Sequence, residues 1–257
     1  MPINVPTKHN KKLEQLVERI NQDVELHQLW KCVNINAVDR SGISDHGEVH
    51  IRIVANVALK LLRLLVDAGI EPNVVKNYGL TNDDAEVVVV LAECLHDLGI
   101  AIHREEHEHH SLILAAPKLK ELLDGVYGVE ERTIVTCEVL HAIIAHRWDV
   151  PCLTIEAGVV KVADALDITE GRSRIPFETG QVNIHSVSAA AIDSVTLKRG
   201  EVKPISLEIA MSNSAGIFQL DELLKRKLRN SSIADYVELV ARIEAETEKR
   251  LVKIYTY

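Results

Sequence analysis

The chain has 257 residues, 47% of them apolar, enough to bury the core of one large domain or of one domain with a smaller partner. Acids outnumber bases 38 to 29, for a net charge of −9, which excludes general nucleic-acid binding, because a phosphate backbone is gripped by clustered Lys and Arg. The longest apolar run, Val87 to Ala92, is far short of the roughly 20 residues a membrane span needs, and the residues after Met1 lack an apolar core of the signal-peptide kind.

The four cysteines, at 32, 94, 137 and 152, form no C-x-x-C pair. Buried thiols in a reducing compartment, hence a cytoplasmic protein, are expected over disulfides or a zinc knuckle. Lys11 to Trp30 sets Leu13, Leu16, Val17, Ile20, Val24 and Leu29 at helical spacing and reads as one helix laid on the core. Asn34 to Gly47 is polar and contains glycine, a loop or short helices. From Val49 to Ala68 the apolar positions Ile53, Val57, Leu61, Leu64 and Leu65 recur at three or four, with Gly69 as a stop, so His50 falls in the first turn of a helix.

Thr81 followed by Asn82, Asp83 and Asp84 reads as a helix start with acids in the first turn, which turns the Val87–Val90 run from strand to helix. That helix ends on His96 and Asp97, with Gly99 as its stop. If His103 to Leu114 is helical, His103, His107 and His110 share a face and His109 turns away. Glu131 to Trp148 carries His141 and His146, which lie about 140° apart on an ideal helix and so do not aim at one ion. Ile155 to Glu170 places Lys161, Asp164 and Asp167 on one face.

Beyond Gly171 the pattern changes. Gln181 to Val187 is a candidate strand, and Ile192 to Lys198 and Ile205 to Met211 alternate as a strand pair around Arg199-Gly200. Leu220 to Arg229 reads as a helix, acidic first and basic last. A second helix is expected from Ser232, where Ser232 and Asp235 have capping-box spacing. The fold class is therefore mainly α, with a helical domain over 1–175 and a small α+β module over 176–257 packed on it.

Twelve histidines are many for this length, and four of them, 103, 107, 109 and 110, fall within eight residues. Taken in order, His50, His96, Asp97, His107, His146 and Asp164 give H…HD…H…H…D. Their contexts are H-D-L-G, H-E-x-x-S, A-x-x-x-H-R and K-V-A-D-A-L-D. Over roughly residues 40 to 175 this series resembles the HD-domain metal-dependent phosphohydrolase superfamily, an all-helical bundle that gathers such ligands around one or two divalent metals. The resemblance implies His50, His96, Asp97 and Asp164 on one ion, with Asp97 bridging to a second held by His107 and His146. His110 and His141 compete for these last two roles.

The reaction implied is hydrolysis of a small phosphate ester or nucleotide by attack of metal-bound hydroxide, with Mn, Mg, Fe, Co, Ni or Zn as the metal. Asp97 would be catalytic as well as a ligand. Some family members carry a Glu shortly after the HD pair. Here that ground is Leu98, Gly99 and Ile100, so His103 and Lys161 become the candidates for general acid, Lys161 being equally suited to a simple ion pair. Arg147, Arg172 and Arg174 lie close in sequence to the ligands and are candidate phosphate contacts, against a reading as solvated surface. Two alternatives stand beside hydrolysis: relatives with this ligand order that hold two irons and oxygenate their substrate, and a non-catalytic ligand-sensing module. The strand pair offers edges through which the chain could form a homo-oligomer.

Overall fold

A computed structural model describes residues 2–168 and 184–243. Its first two helices, α1 (Lys11–Gln22) and α2 (Val24–Asn34), replace the single helix expected there. Asp23 is the cause. Its backbone is extended and its carboxylate accepts the Leu26 N–H at 2.9 Å, so it ends one helix and caps the next. The break leaves Val24 exposed, whereas Trp30 is buried and donates its indole N–H to the Cys94 carbonyl at 2.9 Å.

A π-helical turn, Ile35–Arg40, precedes α3 (Glu48–Asp67). This helix buries Ile51, Val54, Ala58, Leu62 and Leu65, while Ile53, expected inside, is 39% exposed. Gly69 stops the chain at φ +83°, a conformation that glycine adopts without strain. The short α4 (Asn73–Tyr78) is capped from a distance: the N–H groups of Asn73 and Val74 donate to the buried Glu156 carboxylate at 3.1 and 2.9 Å.

The capping box at Thr81 and Asp84 opens α5 (Asn82–Leu95), which is buried on every side from Asp84 to Leu95. A helix enclosed all round needs no polar face, which accounts for its four consecutive valines. After it come a 3₁₀ turn, Leu98–Ala101, and then α6 (His107–Leu122), α7 (Val129–Ala145) and α8 (Ile155–Ala165). Gly99 is not a left-handed stop. A Cβ there would sit 2.0 Å from the His107 carbonyl oxygen and 2.5 Å from the Ser111 nitrogen, so glycine lets the start of α6 press against the end of α5. Cys94 is buried as expected, but Cys137 is exposed on α7.

Where a strand was expected over Gln181 to Val187, the described part is helical. The segment α9 (Ile184–Ala189) winds with the Ser188 hydroxyl donating to the Ile184 carbonyl at 2.6 Å; residues 181–183 lie outside the described residues. The strands β1 (Ile192–Arg199) and β2 (Ile205–Met211) pair antiparallel, Arg199 opposite Ile205. A π-helical turn, Gln219–Leu224, runs into α10 (Lys225–Arg229).

The helix expected from Ser232 is absent. Ala234–Tyr236 makes one 3₁₀ turn and β3 (Val237–Ile243) then pairs parallel to β2, Val237 opposite Ile205. The Ser232 hydroxyl donates to the Thr154 carbonyl instead of capping a helix. The second edge of β2 and the apolar residues Val237, Leu239 and Val240 outweigh the local capping signal. Ile205, Leu207 and Ile209 of this central strand join the same apolar cluster as α3 and α5. Among the described residues no helix is long and apolar enough to cross a membrane.

Candidate metal centre

Five helix ends meet at one place. His50 lies in the first turn of α3, His96 is the residue that closes α5, His107 opens α6, His146 closes α7, and Asp164 is in the last turn of α8. All four imidazoles are buried. Helix ends suit the task because a terminal residue escapes the packed sides of its helix and can turn its side chain into a cleft.

Three of the rings are aimed by their Nδ1 atoms. His96 Nδ1 lies 2.9 Å from the Glu93 carbonyl and His146 Nδ1 lies 2.5 Å from the Ile143 carbonyl, the same reach back by three residues in both helices. His50 Nδ1 lies 2.7 Å from Asp167 Oδ2. Held through Nδ1–H by these oxygens, each ring keeps Nε2 directed into the cluster; Asp97 and Asp164 raise His96 above an ordinary histidine, so an incoming ion would displace its Nε2 proton to gain the lone pair a metal ligand requires. The His107 Nδ1 atom sits between the Arg104 carbonyl at 3.1 Å and the Arg104 guanidinium at 2.6 Å, so its tautomer follows whichever it takes.

The Nε2 atoms divide around Asp97. Its Oδ2 lies 3.2 Å from His96 and 3.6 Å from His50, and its Oδ1 lies 3.2 Å from His107 and 4.0 Å from His146. Asp164 Oδ1 adds contacts at 3.5 Å to His50 and 3.8 Å to His96. His107 and His146 face each other Nε2 to Nε2 at 3.3 Å. The structure thus brings all six expected residues together, in overlapping groups whose ligand atoms lie within 4.8 Å of one another.

Electrostatics favour a cation at this spot. Burial pushes the Asp97 carboxyl up, but the neighbouring His96 and His107 imidazoles hold it well below the usual carboxylate range. For Asp164 burial is likewise outweighed, first by Lys227 and then by His50 and His96. Both therefore carry negative charge. Burial, then His96 and His107, depresses His146 well below an ordinary histidine and leaves it neutral. His96 Nε2 is buried with no hydrogen-bond partner among the described residues although two carboxylates flank it, which is the arrangement of a donor set sized for an ion. Two carboxylates with several imidazoles and no thiolate match Mn, Fe, Co, Ni or Zn chemistry.

The supporting contacts explain the short motif contexts. Ser111, the serine of H-E-x-x-S, donates its hydroxyl to the His96 carbonyl at 2.5 Å and accepts the Gly99 N–H at 2.8 Å, tying α6 to the turn that carries His96 and Asp97. His141 lies outside the cluster, its Nε2 accepting the Leu153 N–H at 3.1 Å. His103 stands exposed on the turn before α6, which begins four residues later than the helix considered from sequence. Lys161 is fully buried but points elsewhere, donating to the Val150 and Asn230 carbonyls. Neither reaches the cluster.

A cavity of about 570 Å³ opens over Asp97 and Asp164, with Arg104, Arg147, Trp148, Asp167, Arg226 and Lys227 on its walls. Arg147 is at the rim, paired with Glu106 and Asp149. Arg172 and Arg174 lie outside the described residues. Sequence reasoning gave no role to two participants: Asp167, placed on the face of Asp164 but assigned nothing there, and Lys227, one of several basic residues in K-R-K-L-R with nothing local to single it out.

No family model matches the chain. It is similar to the uncharacterized protein MJ1020 of Methanocaldococcus jannaschii, with 43% identity over 233 residues that cover 91% of this chain and 90% of the relative. Agreement of that extent over nearly the whole of both proteins places the chain in one family with this archaeal protein.

Proposed function

We propose that the protein is an HD-type metal-dependent phosphohydrolase acting on a small phosphate ester or nucleotide. The observation that carries the reading is the division of Asp97, one oxygen toward His50 and His96, the other toward His107 and His146. That is the arrangement of a carboxylate shared by two ions. Bound ions at such a centre supply a water of lowered pKa and neutralise the charge of the phosphoryl oxygens.

The chain's own part is to fix and to shelter. The Nδ1 contacts hold the rings so that little ordering remains to be done on binding. The cavity admits a ligand of small-molecule size, and Arg104, Arg147, Arg226 and Lys227 stand among the acids of its lining as positive groups for an anion to meet. Among the described residues its lining holds no cysteine and one serine, Ser44. His103 and Lys161 lie apart from the cavity, so the proton for the leaving oxygen would come from water or from a group on the lining such as His46.

The test is a count of bound metal per chain, with turnover of an aryl phosphate across Mn, Mg, Co, Ni, Fe and Zn. His107→Ala and His146→Ala are each expected to lose one ion of two and to drop turnover at least about a hundredfold, the scale of losing an essential charge-stabilising contact. Full metal content in both variants sinks the two-ion reading. Tightly held iron with oxygen-dependent loss of substrate would replace hydrolysis by oxygenation.

A further inference from the structure

Among the described residues four cations line the cavity, and three of them are engaged away from the carboxylates of the cluster. Arg147 pairs with Glu106 and Asp149, Arg226 pairs with Glu222 and lies 5.9 Å from the Trp148 ring, and Arg104 contacts His107. Lys227 differs. It rises from α10, 63 residues beyond Asp164, and its ammonium bonds Oδ2 of that aspartate, whose Oδ1 faces His50 and His96. The Lys227 side chain is only 21% exposed.

One carboxylate is therefore asked to balance two positive charges. A divalent ion at Oδ1 draws on the charge that compensates Lys227, leaving a largely buried ammonium beside a metal, and the two repel. An anion in the cavity relieves both penalties at once. We propose that Lys227 couples two ligands: metal binding at the cluster and oxyanion binding in the cavity each strengthen the other through it. This deepens the phosphohydrolase reading and rests on the cluster being a metal centre. It also gives the segment after residue 184 a task in the site, the supply of the cation that makes a loaded centre demand an anionic substrate.

Coupling of this kind is reciprocal, the same factor appearing in the affinity of each ligand. The experiment measures Mn²⁺ affinity by titration calorimetry, with and without inorganic phosphate, in the wild type, Lys227→Met and Lys227→Arg. Phosphate is expected to tighten Mn²⁺ binding to the wild type about tenfold, within the usual range of coupling. Lys227→Met should bind Mn²⁺ alone more tightly than the wild type and lose most of the coupling, while Lys227→Arg keeps it. An undiminished coupling factor in Lys227→Met, or weaker binding of Mn²⁺ alone, overturns the proposal and leaves the metal reading intact. Absence of Mn²⁺ binding by the wild type, with or without phosphate, sinks both. Acetylation of the wild-type amine needs no variant: phosphate should shield Lys227 only when Mn²⁺ is present, and shielding that ignores Mn²⁺ contradicts the coupling.

Discussion

The two ends of α5 carry similar residues and come to opposite ends. At its start, His9, Asp83 and Glu86 bring ligand atoms within 4.8 Å, as close as the groups around Asp97. There, however, Glu86 takes the Arg63 guanidinium at 2.7 and 3.1 Å and the Asn10 amide at 3.1 Å, and the neighbouring Asp84 takes Lys12 at 2.7 Å. At its finish the ion-pair partners of Asp97 among the described residues are all imidazoles, groups that can give up a proton and present a lone pair. Nearness of histidine and acid therefore does not distinguish a metal site from a structural brace. Between Glu86 and Asp97 the difference lies in whether the counter-charge is permanent, as in Arg and Lys, or removable, as in His; Asp164, which faces two imidazoles and also holds Lys227, combines both.

The largest expected effect tests that distinction directly. Asp97→Ala should lose all bound metal, whereas Glu86→Gln should keep the wild-type metal content and lower stability by about 1–3 kcal/mol, the cost of spoiling a buried hydrogen-bonded group. Metal analysis beside thermal melts reads both, and metal loss in Glu86→Gln would erase the contrast. A smaller effect is expected at the turn after α5. Gly99→Ala must push α6 away, because the new methyl would overlap the His107 carbonyl oxygen, and overpacking of this kind costs about 1–3 kcal/mol. Since α6 carries His107, metal affinity should fall in step with the melting temperature. Destabilisation with unchanged metal binding would show that the clamp serves packing alone.

The smallest effect sharpens the bracing end. Burial raises the Asp84 carboxyl, but hydrogen bonds from Lys12, Thr81 and Tyr127 outweigh it and hold the group below its ordinary 3.8. A carboxyl lowered by folding stabilises fully above its unfolded value and loses that contribution as the pH falls through the folded one. Asp84→Asn should therefore melt below the wild type at pH 7, with the gap narrowing once the pH drops beneath 3.8. A gap that stays constant into acid would assign the loss to packing.

What was legible in the sequence was local. Thr81 and Asp84 announced the start of α5 because a capping box spans three residues, and five of the candidate ligands were visible through short flanking motifs, His50 through its place in the series. Asp23 was overlooked because the apolar spacing of α1 continues through it, although Asp is a good cap. β3 was read as a helix because its partner strand lies about thirty residues earlier, and pairing over that distance leaves no periodic trace in a window. Lys227 was hidden for the same reason, its meaning residing in Asp164 across the fold.

The backward reach of His96 and His146 makes one hydrogen bond serve both as helix terminator and as aiming device. Fraying of either last turn, ordinarily the cheapest local opening of a helix, must therefore also swing a ligand out of the cluster. A bound ion would oppose that opening by the full strength of its bonds, so the turns at 93–96 and 143–146 become the place where amide hydrogen exchange senses occupancy of the centre. The ends of α5 and α7 are in this sense latches, and the protein's slowest-breathing segments when loaded would be those that breathe most freely in an ordinary helix.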